Sequence, residues 1–322
     1  MKKILVIGAT GQIGSELTLA LRDTYGSANV VAGGHKRKPS SEKLQDSGPY
    51  EIADCLDNKA LALLIEKYKI DTIYHLAALL SATSEKNPKL AWEVNIQGLI
   101  NVLDLAKSYQ CAVFFPSSIG VFGDSTPKNN TPQDTIQRPS TIYGITKLTG
   151  ELLCDYYYHK YNLDVRGVRY PGLISYETLP GGGTTDYAVE IFYEALAHKE
   201  YTCFLKEDTY LDMMYMPDAL KAAMQLMETE SNRLIHRNGY NVSAMSFSPR
   251  EIFEEIRKWI SEFKISYEID PVRQSIADSW PNSMDDNVAR QEWGWQPEYD
   301  LPKMTEDMLE KLKLKLKYKK LT

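Results

Sequence analysis

The chain has 322 residues, 43% hydrophobic and 25% charged, the balance of a globular protein long enough for two lobes or one large α/β domain. Its 37 Lys plus Arg against 43 Asp plus Glu leave a net charge of −6. That argues against nucleic-acid binding, because neutralising phosphates needs a cationic excess. No stretch nears the ~18 apolar residues of a membrane span. Cys55, Cys111, Cys154 and Cys203 are scattered with no CxxC pair or Cys/His cluster, so neither a disulfide framework nor a metal site is expected.

Ile4-Leu5-Val6-Ile7 reads as a strand buried on both faces, bounded by Gly8. It is too short for a secretory core, so a cytoplasmic chain is expected, or a mitochondrial matrix one if a presequence has been removed. A helix from about Gln12 to Tyr25 follows, then a strand near Asn29–Ala32. Leu61, Leu64, Ile65 and Tyr68 mark one helical face. Thr72–Leu76 is a strand, Leu90–Tyr109 a long helix and Ala112–Phe115 a strand. Tyr143–Tyr161 is a helix and Val165–Tyr170 a strand. This cadence predicts parallel βαβ units and a doubly wound sheet. Beyond Pro171 the texture changes to a Pro180–Thr185 loop, mixed helical patterns and short strands near Tyr240–Val242 and Ile265–Ile269, which suggests a smaller α+β lobe. Leu312–Lys320 alternates Leu with Lys and reads as a solvated, frayed terminal helix.

Two motifs carry chemistry. Gly8-Ala9-Thr10-Gly11-Gln12-Ile13-Gly14 joins the first strand to the first helix. Gly8 permits the tight turn, Gly11 lets the backbone approach a pyrophosphate, and Gly14 allows close helix–strand packing. The helix start supplies free N–H groups and a positive dipole end to a dinucleotide. Tyr143 and Lys147 share one helical face a turn apart, and Ser118 follows the strand that ends at Phe115. A phenol needs help to act as a base near neutrality. An adjacent ammonium and a cationic nicotinamide both favour its phenolate.

The GxxGxxG spacing with Tyr143-Gly144-Ile145-Thr146-Lys147 resembles the extended short-chain dehydrogenase/reductases. Leu76–Ala82, Pro116–Gly120, Arg169–Ser175, Gly181–Ala188 and Ala277–Pro281 together resemble, in order, the epimerase-like L-threonine 3-dehydrogenases of that superfamily. The resemblance implies a Rossmann-type α/β fold with a smaller α+β substrate lobe. It implies a dinucleotide-binding domain over 1–172 with a chain return at about 209–238, and a substrate lobe over about 173–208 and 239–322. Met213–Met227 resembles that return of the chain.

The implied cofactor is NAD, held by Gly8, Gly11, Gln12, Ile13, Gly14, Asp54, Cys55, Leu56, Leu76, Ala77, Ala78, Asn95, Tyr143, Lys147, Tyr170 and Pro171. Asp54 takes the position that meets the adenine amino group, and Asn95 the end of a water relay to the Tyr/Lys pair. The implied activity is oxidation of the L-threonine β-hydroxyl to 2-amino-3-ketobutyrate, with Tyr143, Lys147 and Ser118 catalytic. Ser81, Ser118, Tyr143, Thr184, Thr185 and Trp280 surround the substrate, and the Gly-rich loop closes over it. Members pair as homodimers through the helices that here carry Trp92, Leu99 and Leu103, and Leu152, Tyr156 and Tyr157.

Two departures stand out. The acid that usually follows the second strand and binds the NAD ribose is replaced by Gly33-Gly34-His35-Lys36-Arg37-Lys38, a basic stretch that also suits an NADP phosphate. The Arg-Tyr-Phe-Asn motif of the nucleotide-sugar epimerases is here Arg169-Tyr170-Pro171-Gly172, without the Asn. A nucleotide-sugar 4-epimerase or dehydratase and a non-catalytic NAD(P) sensor are the alternatives; the lost Asn counts against the first, and intact Ser118, Tyr143 and Lys147 against the second.

Overall fold

The computed structural model describes residues 2–35, 42–178 and 183–319. Among them, six parallel strands form the central sheet: β1 Ile4–Ile7, β2 Val30–Gly34, β3 Tyr50–Ile52, β4 Thr72–His75, β5 Ala112–Phe114 and, after the short β6 Ser117–Ser118, β7 Val165–Arg166. Their spatial order is β3-β2-β1-β4-β5-β7. The order reverses between β1 and β4, and in sheets of this kind the ligand crevice lies outside the carboxyl ends of the strands at that point. Ile4, Val6, Tyr74 and Phe114 pack into one apolar cluster, while Leu5, Ile7, Ile73 and Val113 pack into another on the opposite face. That two-sided burial explains the uninterrupted apolar runs.

Three segments differ from their sequence patterns, each for a local reason. Val165–Tyr170 is two strands rather than one. β7 stays on the central sheet, and after Gly167 the chain runs as β8, Val168–Tyr170, between β6 and β12, Tyr240–Asn241. A Cβ on Gly167 would lie 2.3 Å from the Phe115 carbonyl oxygen, so only glycine passes there. The helix through Leu90–Tyr109 is α-helical over Pro88–Trp92 and Gly98–Tyr109, with a π-helical turn at Glu93–Gln97 between them. Such turns are rare and often mark functional sites. The terminal segment is not merely solvated: Leu301–Lys319 is one helix, and Met308, Leu309 and Leu312 are buried in a third apolar cluster.

That third cluster draws on β9 Gly172–Ile174, β10 Glu200–Cys203, β11 Leu211–Tyr215, β13 Met245–Phe247 and β14 Lys264–Tyr267. β11 lies between β9 and β13, and β10 pairs with β14. The helix Met216–Glu228 runs back against the helix Gln12–Tyr25, and both contribute to one apolar cluster. The two helices expected to pair protomers are amphipathic in a more restricted way than their composition suggests. Leu99, Leu103 and Tyr157 belong to the core, whereas Trp92, Leu152 and Tyr156 are 47%, 61% and 50% exposed.

Asp212 of β11 is fully buried and makes no ion pair with a described residue. Its carboxyl accepts from Ser243 Oγ at 2.8 and 2.9 Å and from the Met284 amide at 2.6 Å. Burial pushes it up to about 8. The folded chain therefore holds a proton that the unfolded chain releases at about pH 4, and stability falls as pH rises from there through about 8. Asp212→Asn is expected to flatten the decline in Tm across that window; a variant that keeps the wild-type slope contradicts the assignment.

Candidate active site

The crevice is lined first by the β1 turn. Gly8 has φ +89°, and a Cβ on it would sit 2.7 Å from the Ala77 amide nitrogen, so glycine is needed for both conformation and space. A Cβ on Gly14 would lie 2.1 Å from the Gly8 carbonyl oxygen, which presses the helix onto the turn. The Gly8 and Ala9 amides both donate to the Gly33 carbonyl, at 2.9 and 3.0 Å. The helix that follows has Gly11 as its N-cap, no side-chain cap bond and no acidic residue in its first turn. Its first N–H groups and dipole end thus face the crevice with no side chain competing for them. This cradle fits a dinucleotide pyrophosphate.

At the end of β2, Gly33 stands where an acid was sought because a Cβ would meet Ala53 Cβ at 2.8 Å and the Val6 carbonyl at 2.9 Å. His35 Nε2 lies 3.1 Å from Asp54 Oδ2, and Asp54 also accepts from the Leu56 amide at 3.0 Å. The first residue of the basic stretch is therefore engaged by the acid expected to meet adenine; Lys36, Arg37 and Lys38 lie outside the described residues. Cys55 packs under the helix at Gly98, where a Cβ would come within 2.6 Å of its sulfur, and burial pushes its thiol up to about 11. Leu76 and Ala77 border the turn through backbone, Leu76 donating to the Ile7 carbonyl at 2.8 Å.

Asn95 sits within the π turn, 6% exposed. Its amide accepts from Leu79 N at 2.7 Å and donates to Leu79 O and Thr146 Oγ1, each at 3.1 Å. The side chain therefore fastens the segment after Ala78 to the helix that carries Tyr143 and Lys147, and Ser81 opens the short helix that follows Leu80.

Ser118, Gly120 and Tyr143 converge. The Ser118 hydroxyl caps the following 3₁₀ turn by accepting from the Gly120 amide at 3.1 Å. A Cβ on Gly120 would stand 3.3 Å from the Tyr143 ring and 3.5 Å from Ser118 Oγ, so that glycine holds the space between them. Gly144 admits the same backbone from the helix side: a Cβ there would be 2.1 Å from the Gly120 carbonyl. Neither glycine carries a motif signal of its own, although Gly144 adjoins Tyr143 and Gly120 lies two residues past Ser118.

Lys147 Nζ donates to the Pro116 carbonyl at 2.7 Å and lies 5.8 Å from the centre of the Tyr143 ring. Burial pulls its ammonium down to about 8, against the nearby Cys154 and Glu151. The Tyr143 phenol is shifted upward by burial, opposed by the Ser118 hydroxyl. Of the two charges expected to favour the phenolate, the Lys147 ammonium is turned to a carbonyl, and burial outweighs it at the phenol. His75, buried at the end of β4, is held neutral, pulled down to about 3 by burial and by Lys147.

On the substrate side, Gly172 follows Pro171, and a Cβ on it would meet Met213 sulfur at 2.4 Å and the Thr185 methyl at 2.7 Å. Glycine after Pro171 therefore lets Thr185 lie against the end of the β8–β9 segment. Thr184 is buried, and Asp186 fastens the turn by accepting from the Gly183 amide at 2.7 Å. Pro180, Gly181 and Gly182 lie outside the described residues. Tyr170 faces the core and donates to the Ala219 carbonyl at 2.7 Å, leaving backbone at that strand end toward the crevice. Trp280 is 8% exposed within the apolar cluster that also holds Tyr187 and Met284. Glu16, missed from sequence, accepts from Ser175 Oγ at 2.6 Å and ties the cofactor helix to the end of β9; burial pushes it up to about 7.

A crevice of this kind at a parallel-sheet switch point, with a glycine cradle and a Ser/Tyr/Lys group, defines a dinucleotide-dependent enzyme of the short-chain dehydrogenase/reductase type. Residues 4–242 match the NAD dependent epimerase/dehydratase family, and the chain belongs to it. NAD is accordingly its cofactor. An uncharacterized epimerase/dehydratase of Staphylococcus haemolyticus is 53% identical over 315 residues, covering 98% of this chain and 99% of that protein. Among solved structures, the L-threonine dehydrogenase of Clostridium difficile is 57% identical with a TM-score of 0.96, covering 98% of each chain. That of Phytophthora infestans is 51% identical with a TM-score of 0.93, over 98% of this chain and 100% of that one.

Proposed function

We propose that this chain is an NAD-dependent L-threonine 3-dehydrogenase that oxidises the β-hydroxyl to 2-amino-3-ketobutyrate in the cytoplasm. The observation that carries the reading is the convergence of Ser118 and Tyr143 about Gly120, beside Lys147 and next to the glycine cradle. NAD, when bound, accepts the hydride that leaves the substrate Cβ. Tyr143 Oη takes the hydroxyl proton, and Ser118 Oγ holds the same oxygen so that the proton faces the phenolate. Lys147 holds the nicotinamide ribose hydroxyls. The turn from Gly8 to Gly14 takes the pyrophosphate on backbone amides, with Gln12 and Ile13 in the first helical turn. Asp54, Cys55 and Leu56 border the adenine, and Leu76, Ala77, Ala78, Tyr170 and Pro171 line the rest of the cleft.

Ser81, Thr184 and Thr185 take the amino-acid end of the substrate, with hydroxyls and loop amides suited to a carboxylate, and Trp280 backs them from the core. The close approach of Thr185 to Gly172 supports this small-substrate reading, because it fills the space beside the strand end where the epimerase motif carries Asn. Thr185→Val is expected to raise KM for L-threonine by roughly tenfold to a hundredfold with NADH affinity unchanged, the loss of one hydrogen bond to a charged group being worth roughly 1.5–3 kcal/mol; an unchanged KM removes Thr185 from the site. The lobes divide near residue 172 with the chain returning over about 209–238. A homodimer forms through the outward Trp92, Leu152 and Tyr156.

The assay follows absorbance of reduced nicotinamide. Turnover with L-threonine and NAD supports the proposal. Reduction with L-serine in its place, conversion of UDP-glucose read by chromatography of the sugar because epimerisation leaves no net reduced nicotinamide, or tight NAD binding with no turnover, overturns it.

A further inference from the structure

Behind Tyr143 and Lys147 lies an ionic network that the proposed chemistry does not use. Glu151 stands one turn beyond Lys147 on the helix Ile142–Tyr161, within the reach of an i,i+4 pair. It is 3% exposed, and Arg169 is 6% exposed. Arg169 Nε donates to the two Glu151 oxygens at 3.0 and 3.2 Å, and Nη2 donates to Oε2 at 2.8 Å. The Ser117 hydroxyl donates to Oε1, and Gln137 Nε2 to Oε2 at 3.1 Å. Arg169 is itself fixed by the Gln133 carbonyl at 2.8 Å and Asn241 Oδ1 at 3.1 Å. Burial pushes the Glu151 carboxyl up, but Arg169 and the other donors hold it below its usual range.

The strand pairing joins this network to the reactive groups: Ser117 lies opposite Arg169, and Ser118 opposite Tyr170. The charged and titratable groups about Lys147 are Tyr143, Glu151 and Cys154 on its own helix, His75 from β4 and, through Glu151, Arg169 from β8. Of these only Glu151 is an anion near neutrality, and it is the one group able to draw the ammonium away from the Pro116 carbonyl.

We propose that Arg169 is a positioning residue for Lys147: by occupying both Glu151 oxygens it prevents a Lys147–Glu151 ion pair and keeps Nζ aimed at the Pro116 carbonyl and the crevice. The inference rests on the proposed role of Lys147 as the cation that holds the ribose. Without Arg169, the carboxylate turns to Lys147 as its remaining cation. The ammonium then becomes harder to deprotonate and is displaced from the ribose. Removing both charges restores an unpaired Lys147.

The test is NADH affinity, read by nicotinamide fluorescence from about pH 6.5 to about 9.5, a window that brackets the Lys147 titration. It uses the full chain, Arg169→Gln and the double variant Glu151→Gln/Arg169→Gln. Wild-type affinity should fall as pH rises through about 8. In Arg169→Gln the maximum affinity should be lower and the fall should move upward by about one pH unit, a tenfold change in proton affinity. The double variant should return the fall to its wild-type position. A merely structural role moves neither the midpoint nor its recovery. If Arg169→Gln does not fold, Arg169→Lys, which keeps the charge but whose single ammonium cannot hold both carboxylate oxygens as the guanidinium fork does, should shift the fall in the same direction by less. An unmoved midpoint in the folded variant, or a double variant that stays shifted, overturns the proposal. L-threonine turnover by wild type, measured separately, distinguishes this from failure of the functional reading, since NADH affinity does not require the substrate to be threonine.

Discussion

Tyr143→Phe is expected to lower kcat for L-threonine oxidation by about 10²–10⁴-fold, the usual worth of a positioned proton acceptor. NADH affinity should remain near wild type, because the ring is kept and only the hydroxyl is lost. The ring itself is structural, since it fills the space against Gly120. Phenylalanine preserves that contact, so a folded, cofactor-binding but nearly inactive enzyme is the predicted product. The pH profile adds a second mark. Burial raises the Tyr143 phenol, so the active, deprotonated form gains population as pH rises, and the alkaline increase in kcat should vanish with the hydroxyl. Turnover within a few-fold of wild type removes Tyr143 from the role of base.

The second large effect lies in the cradle. Gly14→Ala would place a Cβ 2.1 Å from the Gly8 carbonyl oxygen and 2.9 Å from Ala9 Cα. Both neighbours are backbone, so the helix must move off the turn. Overpacking of this kind costs about 1–3 kcal/mol, which corresponds to roughly tenfold to a hundredfold weaker NADH binding where it is drawn from cofactor affinity. Gly11→Ala is the matched comparison. Its Cβ would lie 3.3 Å from the same oxygen, a clash relieved by a few tenths of an ångström. Equal losses of NADH affinity in the two variants would show that the steric account of Gly14 is wrong.

What sequence reveals about this molecule follows from the range of each interaction. β1, the glycine turn and the first helix were legible because strand, turn and helix are local and their residue types answer directly to backbone geometry. The helix carrying Tyr143 and Lys147 was legible for the same reason. The break at Gly167 was not, because its cause is the Phe115 carbonyl, more than fifty residues away along the chain. The π turn at Asn95 is invisible to apolar periodicity, since one extra residue per turn leaves the composition unchanged. Leu312 read as frayed because a Leu/Lys alternation has no helical stripe, and only the packed partner helices show that it is buried.

At the site itself, the motif residues were legible and their environment was not. The missing acid after β2 reads as a charge reversal in sequence, whereas in space the first reason is steric: Gly33 has no room for a Cβ, and His35 is already engaged by Asp54. The Tyr143–Lys147 spacing suggested direct electrostatic help, but Lys147 faces the Pro116 carbonyl and the phenol responds mainly to burial. Glu151 and Arg169, eighteen residues apart, carried no motif signal at all. Burial, which sequence does not display, decided each of these points.

The most direct test of the account uses L-threonine deuterated at Cβ, with the reduced nicotinamide recovered and examined by NMR. Deuterium is expected at C4 of the nicotinamide, one label per 2-amino-3-ketobutyrate formed, with both lost in Tyr143→Phe. Reduced nicotinamide without label, or no reduction with threonine under conditions where NADH binds, would contradict it.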